Sequence, residues 1–440
     1  MKFYKVTLLV LFTGMLNGQI SQAQDSIPLG LNAAIQLALD KNTNITTANY
    51  QVNTVEFALK EAKGNFLPKL HFNANYNRNI DRQVIFLPES FGIENRATKL
   101  GSDNEFRSAL NLSLPLYSKY NFANKYLAET TLKFQNEVSR GVKQSVINST
   151  KKAYLNCLIV QEVIKVQQNS LENAQENLRN IQQRYQKGTL TDYDLASAKV
   201  QVALAKNNLL EAQSNSIPTI NNLKLLLGLK NEDAIKFTAP ISLLEEELVL
   251  EDSADQLLEK NSKLKQLEIA IQQKENQLKI AKSSYYPTLD AVGNYYYQAQ
   301  ADDFDMLNYD WVNTSLAGLQ LQWSIFNGTI TKNKVEQATI AKKIAEEEKE
   351  YTTREYKMRR IALLSMLDFY KQKIEVQKES MALTSEALTL SRKRYRFGVG
   401  TFLEINDAEL SYTQARLNWL QTLSDYQAAY YDYQLLIGKE

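Results

Sequence analysis

The chain has 440 residues, with 51 Lys and Arg against 49 Asp and Glu, and only 15 Gly and 7 Pro. So few breakers among abundant Ala, Leu, Gln, Glu, Lys and Asn favour long helices, and the near-neutral charge gives no ground for a nucleic-acid partner. A single cysteine, Cys157, and a single histidine, His71, exclude an internal disulfide, a Cys/His metal cluster and a Cys–His–metal redox centre.

Residues 1–23 read as an export signal. Lys2 and Lys5 precede an apolar stretch from Val6 to Leu16, and Ser21-Gln22-Ala23 supplies small residues where a signal peptidase cuts. The alternative, a membrane anchor, fits less well, because the run is shorter than the roughly 18–20 residues a spanning helix needs. Cleavage after Ala23 removes two lysines and no acid, leaving 49 bases against 49 acids. With no cysteine near that bond, no lipid anchor is expected.

The mature chain then reads as helix (Leu31 to Phe66), strand (about 68–79, after Pro68), long loop (Ile80 to Asn104) and strand (about 105–117). A very long helix from Lys119 to Lys187 follows, then a Gly turn, then a helix from Asp192 to Leu227. After a linker at 230–254 the order returns: helix, strand (about 287–299), a shorter acidic loop (Ala299 to Asp310), strand (about 311–326), long helix (Gly328 to Phe397), Gly turn and helix. Residues 24–229 and 255–440 are thus two repeats, about 210–220 residues apart. Three blocks align them in the same order. Ala62–Pro68 matches Ala281–Pro287, Leu112–Lys125 matches Leu321–Lys334, and Arg184-Tyr185-Gln186-Lys187-Gly188 matches Arg394-Tyr395-Arg396-Phe397-Gly398.

The helices carry coiled-coil seams. Leu195, Ala198, Val202, Ala205, Leu209, Ala212 and Ser216 step by three and four residues, and Ile405, Ala408, Tyr412, Ala415, Trp419, Thr422 and Tyr426 keep that register in the second copy. An ordinary four-helix bundle shares the pattern, so length must decide. At 1.5 Å per residue each long helix extends about 100 Å, and the flanking helices are about half that. Each repeat is therefore expected to be a paired rod, one side a single helix and the other two helices stacked tip to tail. Cys157 falls within the first long helix.

The strands alternate. Leu70, Phe72, Ala74 and Tyr76 oppose His71, Asn73, Asn75 and Asn77, which makes His71 a solvated strand residue. Phe106, Leu110, Leu112 and Leu114 oppose Arg107, Asn111 and Ser113, and the second copy alternates likewise. Strands of about ten residues with aromatics near their ends match transmembrane barrel staves. A soluble half-buried sheet would alternate too, but leaves the export signal and the rods unexplained. Four strands cannot close a barrel, and an open edge is not tolerated in lipid. Several copies must then share one barrel, with the two strand–strand loops outside and every rod in the periplasm.

On these features the chain resembles the outer-membrane efflux, or TolC-like, family. The likeness covers nearly the whole mature chain, and the tandem Arg-Tyr-x-x-Gly turns, each followed by an acidic helix start, are its most specific part. The resemblance implies a mostly α fold with a transmembrane β-barrel portion: a homotrimeric α/β-barrel channel-tunnel whose twelve strands, four per chain, form one barrel in outer-membrane lipid. It implies docking, at the tip turns marked by Arg184, Tyr185, Gly188, Arg394 and Gly398, onto a periplasmic adaptor (membrane fusion) protein and an inner-membrane RND or ABC pump. The location is the outer membrane of a Gram-negative bacterium, with no cofactor, no metal and no catalytic residue. Glu404 and Asp407 fall where the family places two pore-facing acids that make a selectivity ring; acids in a first helical turn also complement the macrodipole. Glu404 stands where Asp is commoner. Asp194 and Tyr395 match a pair that latches the tip closed, whereas Gly400 replaces a basic residue of that network.

The function expected is passive export of small molecules such as drugs, gated at the tips. The alternatives are a type I protein-secretion exit duct and, from a different class, a non-conducting trimeric coiled-coil scaffold or adhesin. Six methionines and one histidine disfavour a metal-efflux specialisation. No nucleophile–base–acid set or phosphate-cradling Gly loop points to an enzyme.

Overall fold

The computed structural model describes residues 27–86, 97–238 and 255–439. The export signal, most of the linker at 230–254 and part of the first loop lie outside the described residues. Repeat one begins with a short strand β1 (Ile27–Leu29) and helices α1 (Leu31–Lys41) and α2 (Thr43–Gly64). Strand β2 (Lys69–Arg78) leads through a small hairpin, β3 (Val84–Phe86) and β4 (Ala97–Lys99), into β5 (Asn104–Ser118). Helix α3 (Lys119–Gln186) turns into α4 (Asp192–Leu226), and β6 (Ile235–Phe237) pairs in parallel with β1. Repeat two holds α5 (Ser262–Ser283), β7 (Thr288–Ala301), β8 (Val312–Gln322), α6 (Ile330–Arg396) and α7 (Phe402–Leu436).

The expected flanking helix from Leu31 to Phe66 is broken at Asn42. The Asn42 side chain caps α2 by accepting from the Asn44 amide at 2.9 Å and donates to the Leu226 carbonyl at the end of α4, 2.8 Å away. Asn261 repeats both bonds, accepting from the Leu264 amide at 3.1 Å and donating to the Leu436 carbonyl at 2.8 Å. Each of these buried asparagines closes a helix C-terminus onto a helix N-terminus, so α4 stacks on α2 and α7 on α5, satisfying end groups that would otherwise be orphaned. A Cβ on Gly228 or Gly438 would stand 2.9 or 2.5 Å from the backbone oxygen of Lys41 or Lys260, so only glycine lets the stacked ends approach. The stacks of 35 and 22 residues run beside single helices of 68 and 67 residues, about 100 Å long. This is the paired rod expected from length.

The seam residues are the buried ones. Ala198, Ala205, Leu209 and Ala212 are covered in α4, as are Ile405, Ala415, Trp419, Thr422 and Tyr426 in α7. The small seam side chains allow close helix approach, as knobs-into-holes packing requires. The largest core gathers Leu155, Ile159 and Val166 with Leu367, Ile374, Trp419, Leu420, Leu423 and Tyr426, and joins the two rods midway. A second core, around Leu29, Ala38, Tyr154, Leu158, Leu223 and Leu227, anchors the N-terminal segment and β6 to the first rod. Cys157 lies in it; burial pushes its thiol up to about 12.

Both repeats contribute to one antiparallel sheet, ordered β2-β5-β7-β8, with β2 and β8 as free edges in the single chain. The register aligns Phe72, Leu110 and Tyr295 on one face, and Asn73, Ala109 and Tyr296 on the other. Leu70, Phe72, Leu112, Leu319 and Leu321 lie exposed on the first face, as an outward lipid-facing surface would be. His71 is exposed on the opposite face. A register shift between Pro115 and Tyr117 accommodates a proline, which has no N–H to give, inside a central strand. Strand β8 ends at Gln322, paired with Thr288, rather than continuing to Phe326. Pro287 lies before β7, so nothing remains to pair residues 323–326.

At the sheet end away from the helices, the two loops are tied together. Arg82 pairs with Asp103 at 2.7 Å and Asp302 at 2.5 Å, and Asn104 donates to the Asp303 carbonyl. An aromatic cluster lies beside them: Tyr76 stacks on Phe106, Tyr297 stacks on Trp311, and Phe304 packs edge-on to both Tyr76 and Phe106. At the other end Trp323 donates to the Tyr285 carbonyl, and Phe66 packs against Phe122. The two girdles bracket the apolar face. Among the described residues no helix is long and apolar enough to cross a membrane.

Candidate functional site: the two helical tips

The two rods end in turns of the same backbone design. Gly188, at φ +71°, follows α3, with its amide on the Tyr185 carbonyl and the Thr189 amide on the Arg184 carbonyl. Gly398, at φ +77°, follows α6, with its amide on the Tyr395 carbonyl and the Val399 amide on the Arg394 carbonyl. A residue in the left-handed region satisfies the last helical carbonyls, and glycine takes that conformation without Cβ strain. The Arg-Tyr-x-x-Gly signature is therefore first a stop signal.

The side chains diverge. In the first tip Thr191 and Asp194 form a reciprocal capping box: the Asp194 amide donates to Thr191 Oγ1, and Asp194 Oδ2 accepts from the Thr191 amide at 2.9 Å. The Thr191 hydroxyl also lies 2.7 Å from that carboxylate oxygen. The backbone and hydroxyl bonds from Thr191 hold the Asp194 carboxyl below its usual range. Tyr185 Oη donates to Asp192 at 2.6 Å, a bond that raises the phenol's pKa. Thus both acids of the first tip are engaged within it.

In the second tip Thr401 accepts from the Glu404 amide, yet the Glu404 carboxylate does not return a bond to the Thr401 backbone. It reaches Arg394 instead, at 3.4 Å, with both side chains well exposed. Asp407, one turn on, is exposed. Glu404, Asp407, Ser411, Gln414, Asn418 and Gln421 continue as one exposed polar stripe along α7, each one position before a seam residue and so about 100° round the helix from the buried seam. The stripe was readable as polar residues spaced three and four apart.

Tyr395 connects the tips by another route than a bond to Asp194. The Arg184 guanidinium lies 4.9 Å above its ring, and its hydroxyl is buried with no hydrogen-bond partner among the described residues. Gly400 is a packing residue: a Cβ there would come 3.0 Å from both Arg394 Cβ and the Tyr395 nitrogen. Arg394 also donates to the Val399 carbonyl. Gly188 and Gly398 are exposed at the extreme ends, with Tyr185 and Arg394 partly exposed beside them.

Sequence reasoning missed Glu409. It lies opposite the polar stripe on α7 and bonds Asn173 of α3 and Arg392 of α6. Its partners are 236 and 17 residues away, so no local pattern marks it. Among the described residues no group of three or more His, Cys, Asp or Glu side chains could hold a metal.

A two-repeat sheet with one exposed apolar face, carried on paired rods that end in matched glycine turns, is the fold of the outer-membrane efflux channels. The chain belongs to the outer membrane efflux protein family, whose profile matches residues 34–229 and 254–439. No curated protein matches it significantly. Its fold is similar to that of CusC, a structure concerned with transmembrane channel formation (16% identity, TM-score 0.77, covering 93% of this chain and 92% of that one). It is similar also to the Campylobacter jejuni CmeC outer membrane channel (18%, TM-score 0.76, 93% and 85%) and to the open state of the Neisseria gonorrhoeae MtrE outer membrane channel (17%, TM-score 0.72, 100% and 97%).

Proposed function

We propose that this chain is the exit duct of a tripartite export system, passing small molecules such as drugs through the outer membrane without chemistry of its own. The observation that carries this reading is the open four-stranded sheet: its apolar face is exposed and both edges lack strand partners among the described residues. The apolar face is costly in water and the open edges are costly in lipid, so a lone subunit suits neither. Three copies would supply twelve strands, close the edges and set the rods side by side as a periplasmic tunnel. The tips would then be the narrow end, with Glu404 and Asp407 as a ring of carboxylates favouring cations. Asp194 and Tyr395 would latch the resting state, and the turns at Arg184, Tyr185, Gly188, Arg394 and Gly398 would receive the adaptor that brings an RND or ABC pump.

Native mass spectrometry of the detergent-purified protein tests the assembly. A trimer is expected; a monomer, or a ring of another size, would contradict it. A type I secretion duct would look the same at this level. The pump and adaptor that co-purify separate the two.

A further inference from the structure

Near the tips, the second rod meets the first along α3 and α7 through polar bonds rather than an apolar core. The bond there is Asn173 to Glu409; farther from the tips, Glu162 to Arg416 and Lys152 to Asp432 are among the polar ties that lie beside the apolar core. Above the Arg184–Tyr395 ring contact, Glu409 makes the hydrogen-bonded tie nearest the tips. Its side chain is 13% exposed; Oε1 accepts from Asn173 Nδ2 at 2.6 Å and Oε2 accepts from Arg392 Nη2 at 2.7 Å. One carboxylate thus joins α3, α6 and α7 with both oxygens engaged.

Beside it an open groove of about 270 Å³ separates the rods, lined by Gln167, Asn208 and Asn406 and by Leu204, Phe402 and Leu410, so the apolar side chains there are not packed into a joint core. Apolar burial at this height lies within each rod, at Leu171, Ala205 and Leu209 in the first and at Leu388 and Ile405 in the second. The core that joins both rods lies farther from the tips, around Trp419 and Leu423. Hence the attachment of the second tip to the first rod depends on a few directional bonds. A partly buried carboxylate with two donors is costly to strip of either one.

We infer that Glu409 is a positioning residue for the gate: held by Arg392 within the second rod, it clasps that rod to the first through Asn173, and opening requires that clasp to release. Glu409 follows Asp407 by two positions, about 200° around a helix, so the same turn carries one acid on the exposed stripe and one against the neighbouring rod. The clasp therefore sets the direction of the proposed acid ring. This inference rests on the duct reading given above.

The test is the resting single-channel conductance of the reconstituted full-length assembly. Glu409→Ala is expected to raise the open fraction about tenfold, the scale of one lost charge-assisted hydrogen bond. Asn173→Ala, which removes the bond between the rods and leaves the Arg392–Glu409 pair within the second rod, gives a comparable rise and serves if Glu409→Ala fails to assemble. The charge swap, Arg392→Glu with Glu409→Arg, restores the native open fraction, because the Asn173 amide can turn its oxygen to the new arginine. A purely structural role would lower thermal stability and leave the open fraction unmoved. Native conductance in assembled Glu409→Ala and Asn173→Ala, or a swap that fails to restore it, overturns the clasp alone. A protein that conducts in no form, even with Glu404→Gln and Asp407→Asn, overturns the duct reading and the clasp together.

Discussion

The two tips share a backbone and differ in what their acids do. In the first, Asp194 returns a bond to Thr191 and Asp192 accepts from Tyr185, so charge is consumed by local order. In the second, Glu404 has one long, exposed ion pair and Asp407 stays open to solvent, while the hydroxyl of Tyr395 is buried unbonded. Duplication supplied two equivalent turns. Divergence left one as a sealed end and the other with charge to present. The lesson is that equal backbone geometry assigns no role; the bonding state of the side chains separates structural acids from candidate functional ones.

The largest difference is expected at the tyrosines. Tyr395→Ala removes the platform under Arg184 and the proposed latch partner, and should raise resting conductance about tenfold, the scale of a one-step shift in a two-state gate. Tyr185→Ala should leave it near native. Equal effects would erase the distinction between the tips. Asp194→Ala should also raise conductance if Asp194 latches. Thr191→Ala separates latch from cap: if it reproduces that rise, Asp194 acts through the cap only.

A smaller contrast is expected in helix-end order. Thr191→Ala breaks a reciprocal box and should lower protection of the first α4 amides by about 1 kcal/mol, whereas Thr401→Ala should cost α7 less. Hydrogen exchange at the two starts measures both, and a reversed order would contradict the assignment. The pH dependence has a definite sign. The folded pKa of Asp194 is depressed, so its contribution is present above the ordinary carboxylate pKa and lost as pH falls through the lower folded value. Protection at the start of α4 should accordingly survive to a pH below the usual carboxylate range. Loss at or above that range would show that the box does not form.

The smallest effect is expected at Cys157. Burial raises its thiol to about 12, so maleimide at pH 8 should leave the native protein unlabelled and modify it only after unfolding. Fast native labelling would mean that the core around Leu158 and Leu223 opens.

Much of the fold was legible because its devices are local. Pro68 and Pro287 mark the entries to the strands, the alternation of Leu70 to Asn77 marks a two-faced sheet, and Gly188 and Gly398 mark the rod ends. The break at Asn42 escaped because no Gly or Pro signals it. The signal was there in the repeat: Lys41-Asn42-Thr43 returns as Lys260-Asn261-Ser262, each asparagine capping the next helix. The β1–β6 pair was too short to alternate visibly, and β3–β4 sits inside a long polar loop. At the tips, Glu404 and Asp407 were singled out by the family resemblance, from their place after the Gly398 turn. The partners of Glu409 and the capping bonds of Asp194 depend on how helices pack and turn, which periodicity does not encode.

Ion selectivity in planar bilayers tests the central claim most directly, that the second tip presents charge to a conducting path and the first does not. In a salt gradient the native protein should give a cation-selective reversal potential. Glu404→Gln with Asp407→Asn should collapse that potential toward zero, and Asp194→Asn should leave it in place. An unchanged potential in the double variant, or a collapse in Asp194→Asn alone, would contradict the claim.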